Sequence, residues 1–426
     1  MRIMVIGGGG REHAIVWALN KSDKVKQIYC APGNAGIAEL AECVPIPVNR
    51  FGDLIQFAID NAVDLVVVGP DDPLAGGIVD AFEERNIPIF GPRKNAASIE
   101  SSKIFMKDLL KAYNIPTAKY ESFTDYESAL AYLRQQSAPI VVKADGLAAG
   151  KGVTVAFTIE EAEKALHEMM VDKVFGESGG SIVIEEFLEG QEMSILAFVD
   201  GETVRAMVPA QDHKPVFDDD KGPNTGGMGT YSPLPHIDPA LVEDAIENII
   251  KPTAKAMVSE GRPFRGVLFA GLIMTKDGVK TIEFNARMGD PETQVVLPRL
   301  KTDLLDIILA ALNGRLDAID IEWSDEAAVC VVAASGGYPG PYGTGQAIEG
   351  LDAAKALGAL VFHAGTAEHN GSIVTNGGRV LGIVGRGRDI AEARAHAYEA
   401  AAVISFEGMH CRSDIGAKAT KAVLKG

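Results

Sequence analysis

The segment KTIEFNARMGDPETQ, residues 280–294, carries residue types that can bind a metal ion and an anion together. Strand alternation predicts Glu283, Asn285 and Arg287 on one face, and Ile282 with the following apolar residues on the other. Two oxygen donors two residues apart can share a magnesium ion bridged to phosphates, and a guanidinium beside them can clamp a carboxylate or phosphate. A solvated strand face could show the same alternation, but it would not require RMGDPET to follow. The segment therefore predicts a ligand-binding strand.

A second candidate ligand-binding segment is the glycine-rich stretch VVKADGLAAGKGVTVA, residues 141–156. It is not a P-loop, because only three residues separate Gly146 from Gly150 and Lys151 where a P-loop has four, and Gly152 stands where the metal-binding hydroxyl would be. The runs on both sides are apolar and β-rich, so the loop joins two strands. Glycines between strands expose backbone N–H groups and can cover a polyphosphate as a flap. A flexible hairpin tip without a ligand is the alternative.

The segment SIVIEEFLEGQEMSILAFVDG, residues 181–201, reads as two strands joined by an acidic link, and Glu185 and Glu186 end the first strand. An adenine held at such a joint would use the backbone of Phe187 and Leu188, while Glu192 could accept from both ribose hydroxyls. An ordinary charged hairpin is the alternative, and for this link taken alone it is the better interpretation.

The first hundred residues alternate strands and helices, which predicts a parallel, doubly wound sheet. Ligands of such sheets bind beyond the carboxyl ends of the strands, where glycines 7–10 lie. A dinucleotide is disfavoured, since Glu12 and His13 stand where the third glycine of its fingerprint would be. A single phosphate on the N–H groups ahead of Arg11 fits better, because a helix N-terminus after glycines binds anions. A tight turn that merely uses glycine is the alternative.

Residues 209–235 are too rich in Gly, Pro and Asp to predict a regular element. Loops of this length in a compact domain are either functional or disordered. The combination of Asp212, His213 and Lys214 with the turn Thr225–Gly227 favours a functional loop.

Composition bounds the kind of protein. With 426 residues, 47% of them hydrophobic, the chain suffices for about two to four domains. A net charge of −18 argues against a nucleic-acid or anionic-membrane surface, so local N–H groups and a few cations must hold any anionic substrate. The four cysteines lack CxxC spacing, and no signal peptide or membrane span is evident. We expect a cytoplasmic protein with reduced thiols.

Together these motifs resemble those of a known enzyme superfamily. The glycine loop between strands, Lys143 in an apolar strand, the EEFLEGQE joint and the EFNAR strand occur in the order seen in ATP-grasp enzymes. More closely, GGGGREHA, KADGLAAGKGV, GGMGTYSP and EFNARMGDPETQ resemble the phosphoribosylamine-glycine ligase family over the whole chain. The resemblance implies ligation of glycine to 5-phosphoribosylamine with ATP and Mg²⁺ or Mn²⁺, through glycyl phosphate, in purine biosynthesis.

The expected fold is α/β and α+β multidomain. It comprises an N-terminal doubly wound parallel-sheet domain that binds substrate (1–101), a central ATP-grasp domain (102–325) with a small lid subdomain at about 120–190, and a C-terminal α+β cap (326–426).

The resemblance also implies roles for individual residues. Lys103 and Lys143 would neutralise the phosphates of ATP, and the other nucleotide-binding residues would be Gly146, Gly150, Lys151, Gly152, Glu185, Phe187, Leu188 and Glu192. The substrates would contact Gly8, Gly9, Gly10, Asp212, Thr225, Gly226 and Gly227. Catalytic roles at the acyl-transfer site would belong to Arg287 and Asp290, and metal binding to Glu283 and Asn285. No protein nucleophile is required, because ATP activates glycine.

One feature departs from the wider superfamily. Many ATP-grasp enzymes carry another metal-binding acid about a dozen residues before the glutamate of EFN, where VLFAGLIM, residues 267–274, offers none. The number of metal ions is therefore open. Two other functions also stay open: an ATP-grasp ligase acting on another acid, such as bicarbonate, and a nucleotide-binding regulator without turnover. The expected partners are small molecules, with neither nucleic acid nor membrane, and a monomer is the working expectation.

Overall fold

The computed structural model describes residues 1–148 and 152–423. The N-terminal elements are β1 (Arg2–Gly7), α1 (Gly10–Leu19), β2 (Gln27–Pro32), β3 (Glu42–Cys43), α2 (Phe51–Asp60), β4 (Leu65–Val68), α3 (Asp71–Gly76), α4 (Ile78–Glu83), β5 (Ile89–Phe90) and α5 (Lys94–Ser101). The strands form a parallel sheet in the order β3-β2-β1-β4-β5, which confirms the predicted doubly wound sheet. In β1, Ile3 and Val5 face one core and Met4 and Ile6 the other, as expected of a sheet covered on both sides.

A small antiparallel sheet follows. Its region contains α6 (Lys103–Ala112), β6 (Tyr120–Phe123), α7 (Tyr126–Leu133), β7 (Ile140–Ala144), β8 (Val153–Ala156), α8 (Ile159–Met170) and β9 (Ile182–Glu186). The strand order is β6-β9-β7-β8, and α7 and α8 pack on the sheet around a core of its own. Strands β7 and β8 pair antiparallel on the two sides of the glycine loop, which confirms the predicted strand–loop–strand arrangement.

A second antiparallel sheet, β11-β10-β16-β17, carries the EFNAR segment on an edge strand. The elements of this region are β10 (Gln191–Asp200), β11 (Thr203–Ala206), β12 (Gln211–Asp212), β13 (Pro215–Phe217), β14 (Lys221–Asn224), β15 (Gly229–Ser232), α9 (Pro239–Ala245), α10 (Lys251–Ser259), β16 (Arg265–Thr275), β17 (Gly278–Asn285), α11 (Thr293–Val296) and α12 (Leu304–Leu312).

The C-terminal region is α+β, as predicted. Its elements are β18 (Ala327–Ala334), α13 (Leu351–Ala356), β19 (Leu360–His363), β20 (Thr366–His369), β21 (Ser372–Thr375), β22 (Arg379–Gly387), α14 (Ile390–Val403) and α15 (Ala417–Val423). The sheet has the order β12-β15-β18-β22-β19 and is antiparallel.

Residues 209–235 are more regular than predicted, since they form β12 to β15. Strand β15 pairs with β18, far along the chain, and β12 pairs with β15. The prediction was wrong because strand formation here depends on that distant partner, which the local Gly, Pro and Asp content does not reveal. The C-terminal sheet therefore takes strands from both sides of residue 325, and the domain limits given above stay a prediction. No helix in the described ranges is long and apolar enough to cross a membrane.

Candidate active site

A β-bulge in β17 sets the direction of the predicted metal ligands. Glu283 pairs with Gly271 of β16, and Ile282 is an extra residue in the ladder. Phe284 is buried, whereas Glu283 and Asn285 are half-buried on the opposite face. The predicted alternation of Glu283 and Asn285 with Phe284 is confirmed. The assignment of Ile282 to the apolar face was wrong, because the bulge interrupts the alternation there.

Gly271 occupies the position where the superfamily's other acid was sought. It lies directly across the ladder from Glu283. A Cβ atom at Gly271 would lie 3.2 Å from Cγ of Glu283, so glycine gives the glutamate side chain its room. The second oxygen donor on this face is therefore the amide of Asn285.

Four cationic side chains surround Glu283. Burial alone would raise the pKa of Glu283, but these positive charges hold it below its usual value. In order of effect they belong to Lys214, Lys143, Lys103 and Arg287. Within the described part of the chain, each of the four has its partner elsewhere and none forms an ion pair with Glu283 itself. Glu283 is thus an ionised carboxylate that can accept a cation.

Glu283 and Asn285 fit a divalent ion shared with phosphate. Nδ2 of Asn285 donates to the carbonyl of Phe284 at 2.9 Å, which leaves Oδ1 as the acceptor. Mg²⁺ is commonly held by one or two carboxylates together with substrate phosphates and water. Across residues 1–148 and 152–423, no group of three His, Cys, Asp or Glu side chains could hold a metal unaided. Substrate phosphates would have to complete the coordination.

Lys143, Lys107 and Glu185 form a buried ion triad. Lys143 of β7 and Lys107 of α6 both pair with the carboxylate of Glu185 in β9. Burial would raise the pKa of Glu185, but the two ammonium groups hold it below its usual value. Nζ of Lys143 also donates to the carbonyl of the bulge residue Ile282 at 3.4 Å, which joins the small sheet to the strand of Glu283. The nucleoside contact of Glu185 stays a prediction, since its carboxylate is already engaged by two lysines.

The glycine loop has defined ends. Nζ of Lys103 donates to the carbonyl of Gly146 at 3.1 Å. At the other end, the carbonyl of Gly152 accepts from the last N–H of β7 at 2.8 Å. The predicted loop residues Gly150 and Lys151 lie outside the described residues, and their roles stay predictions.

The link between β9 and β10 contains the predicted adenine-binding residues. Phe187 and Leu188 are half-buried, and the ring of Phe187 lies 6.1 Å from that of Phe157. Glu192, just beyond the link, pairs with Lys214 at 3.1 Å. The structure therefore joins the predicted ribose-binding acid to a lysine that also acts on Glu283, while the adenine contacts stay predictions.

A large cleft of about 710 Å³ lies beside this link. It is lined by Gly190, Gln191, Glu192, Gln211, Asp212, Lys214, Pro215, Asp220, Asn224, His236 and Lys418. Burial, and then the charge of Glu292, raise the pKa of Asp212. Burial also raises the pKa of Glu292, whose carboxylate accepts from the hydroxyl of Ser194 at 3.4 Å. A positive group beside Asp212 and Glu292 would favour the ionised form of both acids.

A small cleft of about 340 Å³ opens at the rim of the N-terminal sheet. Gly8, Gly9 and Asp290 line it, as predicted residues, together with Gly33 and Asn34 and the C-terminal residues Tyr338, Ala364, Gly365, Thr366, Asn376 and Arg379. Gly10 lies elsewhere, because it packs against the side-chain amide of Gln294. The small cleft thus draws on all three regions of the chain.

Carboxylates already occupy part of the start of α1. The N–H of Gly9 donates to Glu12 at 2.6 Å, and the N–H of Arg11 lies 3.4 Å from Asp290. The helix start was predicted to hold a phosphate on these groups. Glu12 engages one of the N–H groups ahead of Arg11, that of Gly9, and the phosphate contact at this helix start stays a prediction.

A glycine turn separates the two clefts. A Cβ atom at Gly227 would lie 2.7 Å from the carboxylate of Asp212, in the large cleft, and one at Gly226 would lie 3.0 Å from Cζ of Arg379, in the small cleft. Thr225 closes the turn, because its hydroxyl donates to the carbonyl of residue 214 at 2.7 Å. Thr225, Gly226 and Gly227 were predicted to bind substrate; among the described residues they lie between the clefts. We call the Gly226–Gly227 turn the partition.

Arg287 is anchored just beyond the end of β17. Its Nη2 pairs with Glu100 at 2.8 Å, and Glu100 also accepts from the N–H of Ala286 at 2.7 Å. Burial raises the pKa of Glu100 to about 7, although the charge of Arg287 opposes this shift. The structure brings Arg287 close enough to act on Glu283 through its charge. Its direct catalytic role stays a prediction.

Sequence reasoning missed several residues that build the site. These are Glu100, Lys107, Glu292 and Arg379. A signal existed for Lys107, a lysine on the apolar face of an amphipathic helix, and for Glu292, inside a motif already singled out. Glu100 and Arg379 gave no local signal, because their partners lie far away in the sequence.

Two antiparallel sheets joined at a lysine, with a glycine loop on one and paired acid and amide ligands on the other, define the ATP-grasp class. Family models agree along the chain. Residues 1–100 match the N domain of phosphoribosylglycinamide synthetase, residues 101–293 its ATP-grasp (A) domain, and residues 328–418 its C domain.

Whole-chain comparisons give the same family. A phosphoribosylamine–glycine ligase of Caldanaerobacter subterraneus subsp. tengcongensis is 52% identical over 417 residues, covering 98% of this chain and 100% of that protein. The crystal structure of the Thermotoga maritima phosphoribosylamine–glycine ligase superposes with a TM-score of 0.86 at 34% identity, covering 97% of this chain and 100% of that one. The biotin carboxylase domain of the Hydrogenobacter thermophilus 2-oxoglutarate carboxylase shares the fold alone, with a TM-score of 0.71 at 16% identity over 96% of this chain and 91% of that one. The chain belongs to the phosphoribosylglycinamide synthetase family.

Proposed function

We propose that this chain is the ATP-dependent ligase that joins glycine to 5-phosphoribosylamine, giving glycinamide ribonucleotide, ADP and phosphate in purine biosynthesis. The observation that carries the proposal is the pair of clefts on the two sides of the partition. A ligase that activates an acid and then hands it to an amine needs two such places in contact. The names of the relatives support the choice of glycine and phosphoribosylamine.

In the first step, a carboxylate oxygen of glycine attacks the γ-phosphorus of ATP, the bond from that phosphorus to the oxygen of ADP breaks, and glycyl phosphate forms. The protein contributes position and charge neutralisation rather than a nucleophile. Lys103, Lys143 and Lys214, which surround Glu283, are proposed to neutralise the phosphates. A divalent ion, Mg²⁺ or Mn²⁺, held by Glu283 and Asn285, would screen the charge between the phosphate groups.

Asp212 and Glu292 are proposed to receive the ammonium group of glycine. Burial raises the pKa of both acids, and the charge of Glu292 raises that of Asp212 further. A positive group beside them opposes these shifts, because opposite charges favour the ionised form. Bicarbonate has no positive group, so this pair favours an amino acid over the carboxylase alternative.

In the second step, the amine nitrogen of phosphoribosylamine attacks the carbonyl carbon of glycyl phosphate. A C–N bond forms, the C–O bond to phosphate breaks, and one proton leaves the nitrogen. Burial would raise the pKa of Asp290, but the charges of Arg379 and Arg11 hold it below its usual value. Asp290 lines the small cleft as a carboxylate and is proposed to orient the amine, and the proton leaves with the released phosphate.

The test is phosphate release from ATP and magnesium, with glycine and phosphoribosylamine added singly and together. Sustained release and a product with the mass of glycinamide ribonucleotide are expected only with both. Turnover driven by bicarbonate would instead identify a carboxylase. Nucleotide binding without release under any of these conditions would identify a regulator.

A further inference from the structure

Arg379, the first residue of β22, joins two loops that are distant in sequence. Its Nη1 donates to the carbonyl of Gly226 at 2.6 Å and to the carbonyl of Asp290 at 2.8 Å. Its Nη2 lies 3.6 Å from the carboxylate of Asp290. One C-terminal guanidinium thus fixes both the partition and the loop that carries the acid of the small cleft.

The partition is thin where Arg379 holds it. A Cβ atom at Gly226 would lie 3.0 Å from Cζ of Arg379, so the guanidinium lies flat against the glycine. On the other side, a Cβ atom at Gly227 would lie 2.7 Å from the carboxylate of Asp212 and 2.5 Å from the ring of Pro291. A side chain at Gly226 would press against Arg379, and one at Gly227 would press against Asp212 of the large cleft.

We propose that Arg379 is a positioning residue that holds the partition in register with Asp290 and so controls transfer of the activated glycine from the large cleft to the amine in the small cleft. This inference rests on the ligase reaction proposed above. When the partition is held, the amine displaces phosphate and forms the amide. When it is loose, water attacks the same carbonyl carbon, which regenerates glycine and releases phosphate. ATP is then consumed without product.

The bonding of Arg379 calls for a planar fork rather than a single charge. Arginine presents several N–H donors in a rigid plane, whereas lysine presents a compact ammonium on a flexible stem. Both carbonyls accept from Nη1, and Nη2 lies 3.6 Å from the Asp290 carboxylate, so two nitrogens of one plane serve the three acceptors. Lysine would keep the charge beside Asp290 but could not hold both loops in the same geometry.

The experiment compares Arg379→Lys and Arg379→Gln with the unaltered chain. Phosphate and glycinamide ribonucleotide are measured in the same reactions, with the KM for ATP. We expect product per phosphate to fall by about tenfold or more in both variants, since misplacement of reacting groups by about 1 Å can cost far more than that. The KM for ATP should stay unchanged, because Arg379 does not line the large cleft.

Arg299→Gln is the matched control. Arg299 is also a buried arginine with two partners, the hydroxyl of Ser232 at 2.5 Å and the carbonyl of Ser324 at 3.1 Å, and it lines neither described cleft. Its loss should lower the melting temperature and leave product per phosphate unchanged. Melting temperatures of all variants separate loss of fold from loss of coupling, and Arg379→Lys keeps the test usable if Arg379→Gln does not fold.

Two results would overturn the inference: unchanged product per phosphate in folded Arg379 variants, or equal uncoupling in Arg299→Gln. Failure of the proposed function looks different, because the unaltered chain would then form no glycinamide ribonucleotide at all.

Discussion

Replacing Glu100 by Gln is expected to remove a pH-dependent loss of stability. The Glu100 side chain is 7% exposed, and burial raises its pKa to about 7. Between its ordinary value of 4.5 and about 7, the folded chain keeps this proton and the unfolded chain releases it. The proton on Glu100 therefore stabilises the folded chain fully below about pH 4.5, and this stabilisation is lost as the pH rises through about 7.

The size of this stability change follows from the two pKa values of Glu100. The gap from 4.5 to about 7, at about 1.4 kcal/mol for each pH unit, amounts to about 3 kcal/mol. Gln does not ionise, so the free energy of unfolding of the variant minus that of the unaltered chain should increase by about 3 kcal/mol between pH 4.5 and 7.5. Taking the difference cancels the other titrating groups. Urea unfolding at several pH values measures it, and hydrogen exchange at the Ala286 N–H, which Glu100 accepts at 2.7 Å, identifies the relevant transition.

Glu163→Gln provides a control of opposite sign. The hydrogen bond from Arg134 lowers the pKa of Glu163, so this glutamate adds stability above its unfolded pKa and loses it as the pH falls. The free energy of unfolding of Glu163→Gln minus that of the unaltered chain should therefore decrease as the pH rises. Parallel pH curves for Glu100→Gln and the unaltered chain would refute the argument that burial keeps Glu100 protonated.

Three further substitutions test the site, and a fourth tests the stability of the C-terminal region. Glu283→Gln should abolish turnover in saturating magnesium with an unchanged circular dichroism spectrum, because it removes the only charged metal ligand proposed; near-normal turnover would contradict this role. Lys143→Met should raise the Kd for ATP by about tenfold or more in calorimetry, the loss expected for a charge-assisted contact to phosphate. Asp212→Asn should raise the KM for glycine by about tenfold or more and leave the KM for ATP unchanged, whereas equal effects on both would count against an ammonium site. Arg412→Met should lower stability by about 1–3 kcal/mol, seen as a lower melting temperature, because Asp414 would lose the hydrogen bonds of this buried guanidinium while Asp220 keeps its pair with Lys418.

The parts of the fold with local signals could be predicted from the sequence. Alternating strands and helices in the first hundred residues predicted the parallel sheet, since all five of its strands lie within residues 2–90. The glycine loop between β7 and β8 and the outward direction of Glu283 and Asn285 were also predictable, because a strand has a period of two.

Features that depend on distant partners could not be predicted. Strand β15 looked irregular because its partner is the distant β18, and β12 in turn pairs with β15. Arg379 gave no local signal because both loops that it holds lie far upstream. The engagement of Glu185 by Lys107 was missed for a similar reason: one acidic side chain gives no indication of which buried lysines will face it.

The bulge at Ile282 also gives β17 a spare residue. Upstream of it, Thr281 pairs with Leu272, and directly beyond it Glu283 pairs with Gly271. Loss of one residue at the bulge would leave a regular ladder with Glu283 still opposite Gly271, and only the carbonyl offered to Lys143 would disappear. Loss of a second residue would exchange the faces of the strand and turn Glu283 and Asn285 into the core. The hairpin of β16 and β17 should therefore tolerate a deletion of one codon at this point and fail at two.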